Sequence, residues 1–210
     1  MMKLYFVRHG STGANEGGKR QSPQTPLSME GKGQAQKAGE WLADKKIEMV
    51  LSSPWVRARQ TAEIVAKKLD KRIEFLEILH EKAHNPKLYG ASMESEIHKQ
   101  YAREYVKNKE NYDWKLRGKG ESIREMLERG IELKGVLGGK YAGKTLAVVS
   151  HAYFLGGFVS LCLKGENFET KEFKERFRTI GVDNGGISLV ESDRDGRSWR
   201  VPFFNLKPES

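Results

Sequence analysis

Lys3-Leu4-Tyr5-Phe6-Val7-Arg8-His9-Gly10 begins as a strand-like run and delivers an arginine, a histidine and a glycine at its carboxyl end, with Asn15 one loop later. In open α/β sheets ligands bind in the crevice outside the carboxyl ends of the strands. A turn rich in Gly, Ser and Thr at that place can aim backbone N–H groups at an anion. Imidazole is a nucleophile towards phosphorus and guanidinium clamps phosphate oxygens, so the first ten residues already point to phosphate chemistry.

Outward from that strand, Ala35, Ala38 and Leu42 recur at helical spacing after Ser28 and predict a helix from the Gly31 region to Lys45. Glu48 to Ser52 reads as a second strand. Ser53 and Pro54 then supply an N-cap and a first-turn proline, and Ala58, Ala62, Val65 and Leu69 form an apolar stripe, which puts Arg57 in the first turn of the next helix. Further strands are predicted at Arg72 to Leu76, Thr145 to Ser150, Gly186 to Val190 and Ser198 to Phe203, with a helix at Glu121 to Leu137. Such alternation predicts an α/β fold, a three-layer sandwich with a mostly parallel central sheet flanked by helices. The polar, aromatic and irregular stretch from about Lys82 to Gly120 reads as a lid-like insertion in a single domain spanning 1–210.

At 210 residues the chain can bury one sizeable core, and 38% hydrophobic with 31% charged residues fits a soluble protein. Lys and Arg outnumber Asp and Glu by 37 to 28, a net charge of +9 that favours anionic ligands. The charges are scattered and no helix-turn-helix or RNA-binding signature accompanies them, so a phosphorylated small molecule is expected rather than nucleic acid. The mixed-sign run Lys171 to Arg176 reads as a solvated helix face. Cys162 stands alone in an apolar stretch, which fits a core position in a reduced compartment. Arg8 comes too early for a signal-peptide apolar region, and a cytoplasmic location is expected. Leu146 to Leu163 is long enough for a membrane span, but Ser150, His151 and Gly156-Gly157 divide it into a buried strand and a buried helix, so no membrane partner is expected.

Two other motifs compete. Gly138 to Thr145 matches G-x-x-x-x-G-K-T, yet a phosphate-binding loop of that type needs a strand before it and a helix after it. Here the order is reversed, and the stretch reads as a glycine-rich helix stop. His80-Glu81-Lys82-Ala83-His84 matches H-E-x-x-H, which brings two histidines to one metal only on a regular helix. Pro86 follows almost at once and no third ligand stands out, so His80 and His84 read as surface loop histidines and no metal is expected.

A parallel sheet would bring Arg8-His9, Arg57 and His151 to one edge. Taken singly, each histidine could be a hydrogen-bonded core residue and Arg57 an ion-pair partner. Taken with Asn15, Pro26-Leu27-Ser28, Gly31, Gln34-Ala35, Ser52-Ser53-Pro54, Gln60-Thr61-Ala62, Gly120-Glu121-Ser122 and Val148-Val149-Ser150, the set resembles the histidine phosphatase superfamily over nearly the whole chain. That group includes cofactor-dependent phosphoglycerate mutases and many small phosphatases.

The resemblance implies that His9 accepts the phosphoryl group, that Arg8, Asn15, Arg57 and His151 form its phosphate pocket, and that His151 also belongs to the catalytic set. Glu81 matches the position of the proton donor, with Glu77 as the alternative. Glu81 would have to be protonated to donate and would later activate water, and a nearby bound phosphate favours the protonated form. Phosphoryl transfer depends on positioning and electrostatics, so arginines and histidines around the phosphate can serve without a metal or other cofactor.

Ser11 and Ala152 depart from the common pattern, as does Lys82-Ala83-His84-Asn85-Pro86 after Glu81. Asn184 falls in a region that lies near the pocket in relatives, and a tight turn explains it equally. The mutase-type continuation after the acid is absent. The expected activity is therefore that of a metal-independent, histidine acid phosphatase-like phosphomonoesterase. Phosphoglycerate mutase-type transfer and non-catalytic phosphate-ligand binding are the alternatives. The expected partner is a small phosphorylated substrate or a phosphoprotein, and residues from Lys87 to Arg117, among them Tyr89, Tyr105 and Trp114, could close over it.

Overall fold

A computed structural model describes residues 1–165, 181–193 and 196–208. Strand β1 (Met2–Arg8) is buried on both sides: Leu4 and Phe6 enter one apolar cluster, Tyr5 and Val7 another. A strand that reads as a continuous apolar run demands cover on both faces. The same division runs through β2 (Met49–Ser52) and β4 (Thr145–Ser150), where Leu51, Leu146 and Val148 face one cluster and Val50, Ala147 and Val149 the other. Helices α2 (Met29–Leu42) and α3 (Val56–Leu69), which follow the short α1 (Gly13–Glu16), cover one face through Ala38, Leu42, Ala58, Ala62 and Val65. Helices α5 (Ile123–Lys140) and α6 (Ala152–Lys164) cover the opposite face through Met126, Leu133, Phe154 and Phe158. Each fully buried Leu or Phe contributes roughly 1.5–3 kcal/mol.

With β3 (Ile73–Phe75), β5 (Ile187–Ser192) and β6 (Trp199–Leu206) the sheet order is β3-β2-β4-β1-β5-β6. The first four are mutually parallel, β5 opposes β1, and β6 opposes β5. Arg8 pairs with Ser150 and Ser52 with Val149, so β1, β4 and β2 end level with one another. From β1 the chain turns to α2 on one face, and from the adjacent β4 it turns to α6 on the other. Diverging connections from neighbouring parallel strands open a crevice at their carboxyl ends. His9 and His151 are the first residues beyond β1 and β4.

Several boundaries differ from the sequence reading. The first helix starts at Met29 because the Ser28 hydroxyl accepts from Gly31 N at 3.2 Å, and it ends at Leu42. Ser53 does not cap α3. Its N–H still bonds Val149 O at 3.0 Å as a continuation of the sheet, and the helix begins at Val56, after Trp55. Gly138 and Gly139 do not stop α5, which continues to Lys140 with the buried Tyr141 after it. Helix before strand is nonetheless the order at Gly138 to Thr145. The stretch between β3 and α5 is less irregular than it reads, since it holds α4 (Glu96–Lys107) and 3-10 turns at Glu77–Leu79, Pro86–Leu88 and Leu116–Gly118. Leu146 to Leu163 divides into β4 and α6, and no described helix is long and apolar enough to cross a membrane. Cys162 is buried, and burial pushes its thiol far above the usual range. The run Lys171 to Arg176 lies outside the described residues.

Candidate active site

The loop after β1 is shaped by its contact with α2. A Cβ on Gly10 would stand 2.2 Å from Gly31 O, and one on Gly31 would stand 2.0 Å from Ser11 O, so only glycine at both positions permits this approach. Gly10 N donates to Thr61 Oγ1 at 3.2 Å and Ser11 N to Gln34 Oε1 at 2.8 Å, while Leu27 N donates to Gln60 Oε1 at 2.9 Å. These three side chains satisfy backbone groups that the loop would otherwise bury unpaired.

His9 is 1% exposed. Arg57 Nε donates to His9 Nε2 at 2.9 Å, and guanidinium can only donate, so Nε2 carries a lone pair. The proton therefore sits on Nδ1, which donates to Gly10 O at 2.8 Å. Burial first, then the Arg57 and Arg8 charges, holds the imidazole well below its usual range. A neutral ring of fixed tautomer results, with its basic nitrogen facing a cation.

Arg57 is equally buried and also donates through Nη1 to Ser22 O at 2.9 Å. Desolvation lowers its pKa to about 10, which leaves it charged at neutral pH. Arg8 donates through Nη1 to Val182 O, and its buried Nε has no partner among the described residues. The His151 ring lies 5.0 Å from that of His9, edge to face, and its Nε2 hydrogen-bonds with Ser53 Oγ at 2.9 Å. Burial, followed by the Arg57 charge, keeps His151 neutral, and its buried Nδ1 has no partner among the described residues. Buried polar atoms are rarely left so. Asn184 occupies a turn and donates from Nδ2 to His9 O at 2.9 Å. Asn15 falls in α1, and its side chain lies outside the described residues.

Glu81 arrives over the same sheet edge. Its carboxylate accepts from Phe154 N at 3.0 Å and Tyr153 N at 3.1 Å in the first turn of α6, and from Lys82 N at 2.9 Å. Negative charge at a helix N-terminus is favourable. The preceding backbone is pinned from below: Ser150 Oγ donates to Leu79 O at 2.7 Å, and Arg129 Nη1 donates to Ile78 O at 2.7 Å and His80 O at 2.9 Å. Arg129 in turn forks onto Glu121 at 2.8 and 2.9 Å. Glu77 is exposed in the Glu77–Leu79 turn and does not line the cavity.

A cavity of about 330 Å³ opens from Arg57 and Glu81 and runs under α4, where Tyr101, Tyr105 and Trp114 form its aromatic wall. Of the residues from Lys87 to Arg117, Tyr89 lines it too, whereas Arg103 turns to Glu96, Lys115 to Glu125 and Arg117 to Gln100. His80 and His84 are half-buried loop residues rather than fully exposed ones. His80 stacks on Trp55 at 5.6 Å, and His84 Nε2 accepts from Arg20 Nη1 at 3.2 Å inside the cavity wall. His80 has extended backbone after a single 3-10 turn, so no helix aligns the pair, and no cluster of three metal-ligating side chains exists among the described residues.

The sequence reading gave Ser53 only a capping role and passed over Trp55, Arg20 and Arg129. Trp55 had a signal, an aromatic residue two positions before Arg57; its ring lies 5.0 Å from the Arg57 guanidinium and 5.2 Å from the His151 ring. Chemically, a neutral imidazole bonded to Arg57 and set edge to face with His151, with Arg8 and Glu81 within electrostatic reach, gathers along one sheet edge the groups able to receive and release a phosphoryl group.

Residues 4–205 match the family model described as histidine phosphatase superfamily (branch 1). Phosphoglycerate mutase-like protein 4 of Arabidopsis thaliana is 31% identical over 71% of this chain, which spans 66% of that protein's length. Phosphatase PhoE of Bacillus subtilis (strain 168), itself uncharacterized, is 27% identical over 98% of this chain and 95% of its own. The solved structure of a mycobacterial glucosyl-3-phosphoglycerate phosphatase superposes with a TM-score of 0.81 over 97% of this chain and 99% of the other, at 22% identity, a likeness of fold.

Proposed function

The chain belongs to the histidine phosphatase superfamily, branch 1, and on that premise we propose that it hydrolyses phosphomonoesters through a phosphoryl group carried on His9. The observation that carries the reading is the state of His9, a neutral ring whose Nδ1–H is anchored and whose Nε2 lone pair faces the cavity's most buried cation. In the first step Nε2 bonds to phosphorus as the ester P–O bond breaks, and Glu81, carrying a proton on Oε2, the oxygen that accepts only one backbone N–H, gives it to the leaving oxygen. Arg57 Nε, released from His9, turns with Arg8, His151 and Asn15 to the equatorial oxygens. In the second step Glu81 takes a proton from water, whose oxygen bonds to phosphorus as the Nε2–P bond breaks, releasing inorganic phosphate and returning His9 to its neutral state. No metal enters the scheme. The segment at about 82–120 serves as the cap that limits which leaving groups fit.

Chelator-treated protein incubated with para-nitrophenyl phosphate tests this at mildly acidic and neutral pH. Release is expected without added metal, to be abolished in His9→Ala and slowed about 10²–10⁴-fold in Glu81→Gln. Undiminished turnover in His9→Ala overturns the scheme. Transfer to a second substrate hydroxyl draws support from the relative named as mutase-like, and turnover of phosphoglycerates without phosphate release would favour it.

A further inference from the structure

We propose that Arg20 and Lys82 form a subsite for a second anionic group, carboxylate or phosphate, so that the preferred phosphomonoester carries negative charge on its leaving group as well. The inference rests on the cavity being the phosphomonoester site, since both residues line it together with Arg57 and Glu81.

Arg20 is held in place but not neutralised. Its Nη1 donates to His84 Nε2 at 3.2 Å and its Nη2 to His98 Nε2 at 2.9 Å, and its guanidinium lies 5.4 Å from the centre of the Tyr101 ring. Burial and the Arg20 charge itself lower both imidazoles, His84 well below the usual range, so both partners are uncharged. Its buried Nε has no partner among the described residues. The side chain is not needed to fix its own loop, because Arg20 N donates to Ala91 O at 2.9 Å and Gly90 N to Arg20 O at 2.8 Å.

Lys82 repeats the pattern. Burial lowers its ammonium to about 8; the Glu121 and Glu81 charges oppose that effect and the Arg20 charge adds to it. The carboxylates around it are committed elsewhere: Glu121 to the Arg129 fork, Glu125 to Lys115 at 2.8 Å and Glu81 to backbone N–H groups. Among the described residues neither Arg20 nor Lys82 forms an ion pair. Two partly buried cations in one wall repel and lose hydration, which a structure tolerates where an anion is to bind between them. Arg57 and Arg8 are taken by the transferred phosphate, so this second pair meets charge on the rest of the molecule.

Binding of non-hydrolysable phosphonates tests the subsite independently of turnover. Titration calorimetry on the full chain would compare ω-phosphonocarboxylates with alkylphosphonates of equal length, and α,ω-bisphosphonates as a third arm. At one chain length the doubly charged ligand is expected to bind about tenfold tighter or more, the size of one charge-assisted hydrogen bond. The carboxylate and bisphosphonate arms show which anion the subsite prefers. That advantage is expected to fall below about threefold in Arg20→Gln and, separately, in Lys82→Met, and to survive largely in Arg20→Lys. No advantage at any length, binding of neither series, or an advantage that persists in both variants overturns the subsite. Hydrolysis of para-nitrophenyl phosphate by the same preparation shows whether the catalytic reading stands or falls with it.

Discussion

The role proposed for His9 rests on each of its nitrogens having one defined neighbour and on a presenting loop with no spare volume. Gly10→Ala would drive a methyl group into Gly31 O, 2.2 Å away, where backbone cannot yield without moving α2. Turnover is expected to be lost and the chain destabilised by about 1–3 kcal/mol, seen as a lower urea midpoint. An alanine variant with full activity and an unchanged midpoint would mean that the loop does not have this shape. At this scale the residues legible in the sequence were those whose own type names a chemistry at a strand end: His9, Arg57 and His151. Ser53 and Arg20 were not legible as site residues, because their roles depend on partners 98 and 64 positions away. A serine before proline reads as a cap, and only the tertiary contact turns its hydroxyl towards His151.

Among the elements, α5 carries the frame for Glu81. Ser122 and Glu125 close a capping box at its N-terminus, and one turn further on Arg129 donates to the carbonyls of Ile78 and His80 while forking onto Glu121. Removing those donors leaves the carboxylate's contacts with α6 in place but frees the chain that delivers it. Arg129→Met is therefore predicted to lower kcat towards 10²-fold with a much smaller change in KM, because a displacement of about 1 Å at a reacting group costs that much. Arg129→Lys, which keeps the charge without the fork, should recover only part. Equal losses in kcat and KM, or none, would assign Arg129 to packing alone. Periodicity found α2, α3 and α5, and the even burial of β1 and β4 was visible as unbroken apolar runs. The ends moved where a side chain chose otherwise, as when Ser28 began α2 early. Helix α4 went unread although Tyr101 and Tyr105 recur one turn apart: none of its residues is buried, and that face lines the cavity rather than the apolar core.

Over the whole molecule, the fold class was readable because alternating strands and helices admit few arrangements; the strand order, which puts β1 beside β4 with their connections on opposite faces, was not, because it rests on long-range pairing. One cost of the resulting site is electrostatic. His9 and His151 stay neutral when folded, being held well below the usual imidazole range, whereas in the unfolded chain they titrate near pH 6.5. Below that value the unfolded chain takes up protons that the folded one does not. Stability is thus fully present above about pH 6.5 and is lost as pH falls, by up to about 1.4 kcal/mol per pH unit for each ring. The urea midpoint should drop between about pH 7 and pH 5, with a shallower drop in His151→Asn; a flat profile would contradict the buried neutral pair. The central claim remains that His9 carries the phosphoryl group. Its most direct test is rapid quenching of chelator-treated Glu81→Gln protein with excess para-nitrophenyl phosphate, followed by peptide mass spectrometry. The account predicts a burst of nitrophenol and an acid-labile phosphoryl group on His9, absent from His9→Ala; nitrophenol release with no modification of His9, at the same rate in both proteins, would contradict it.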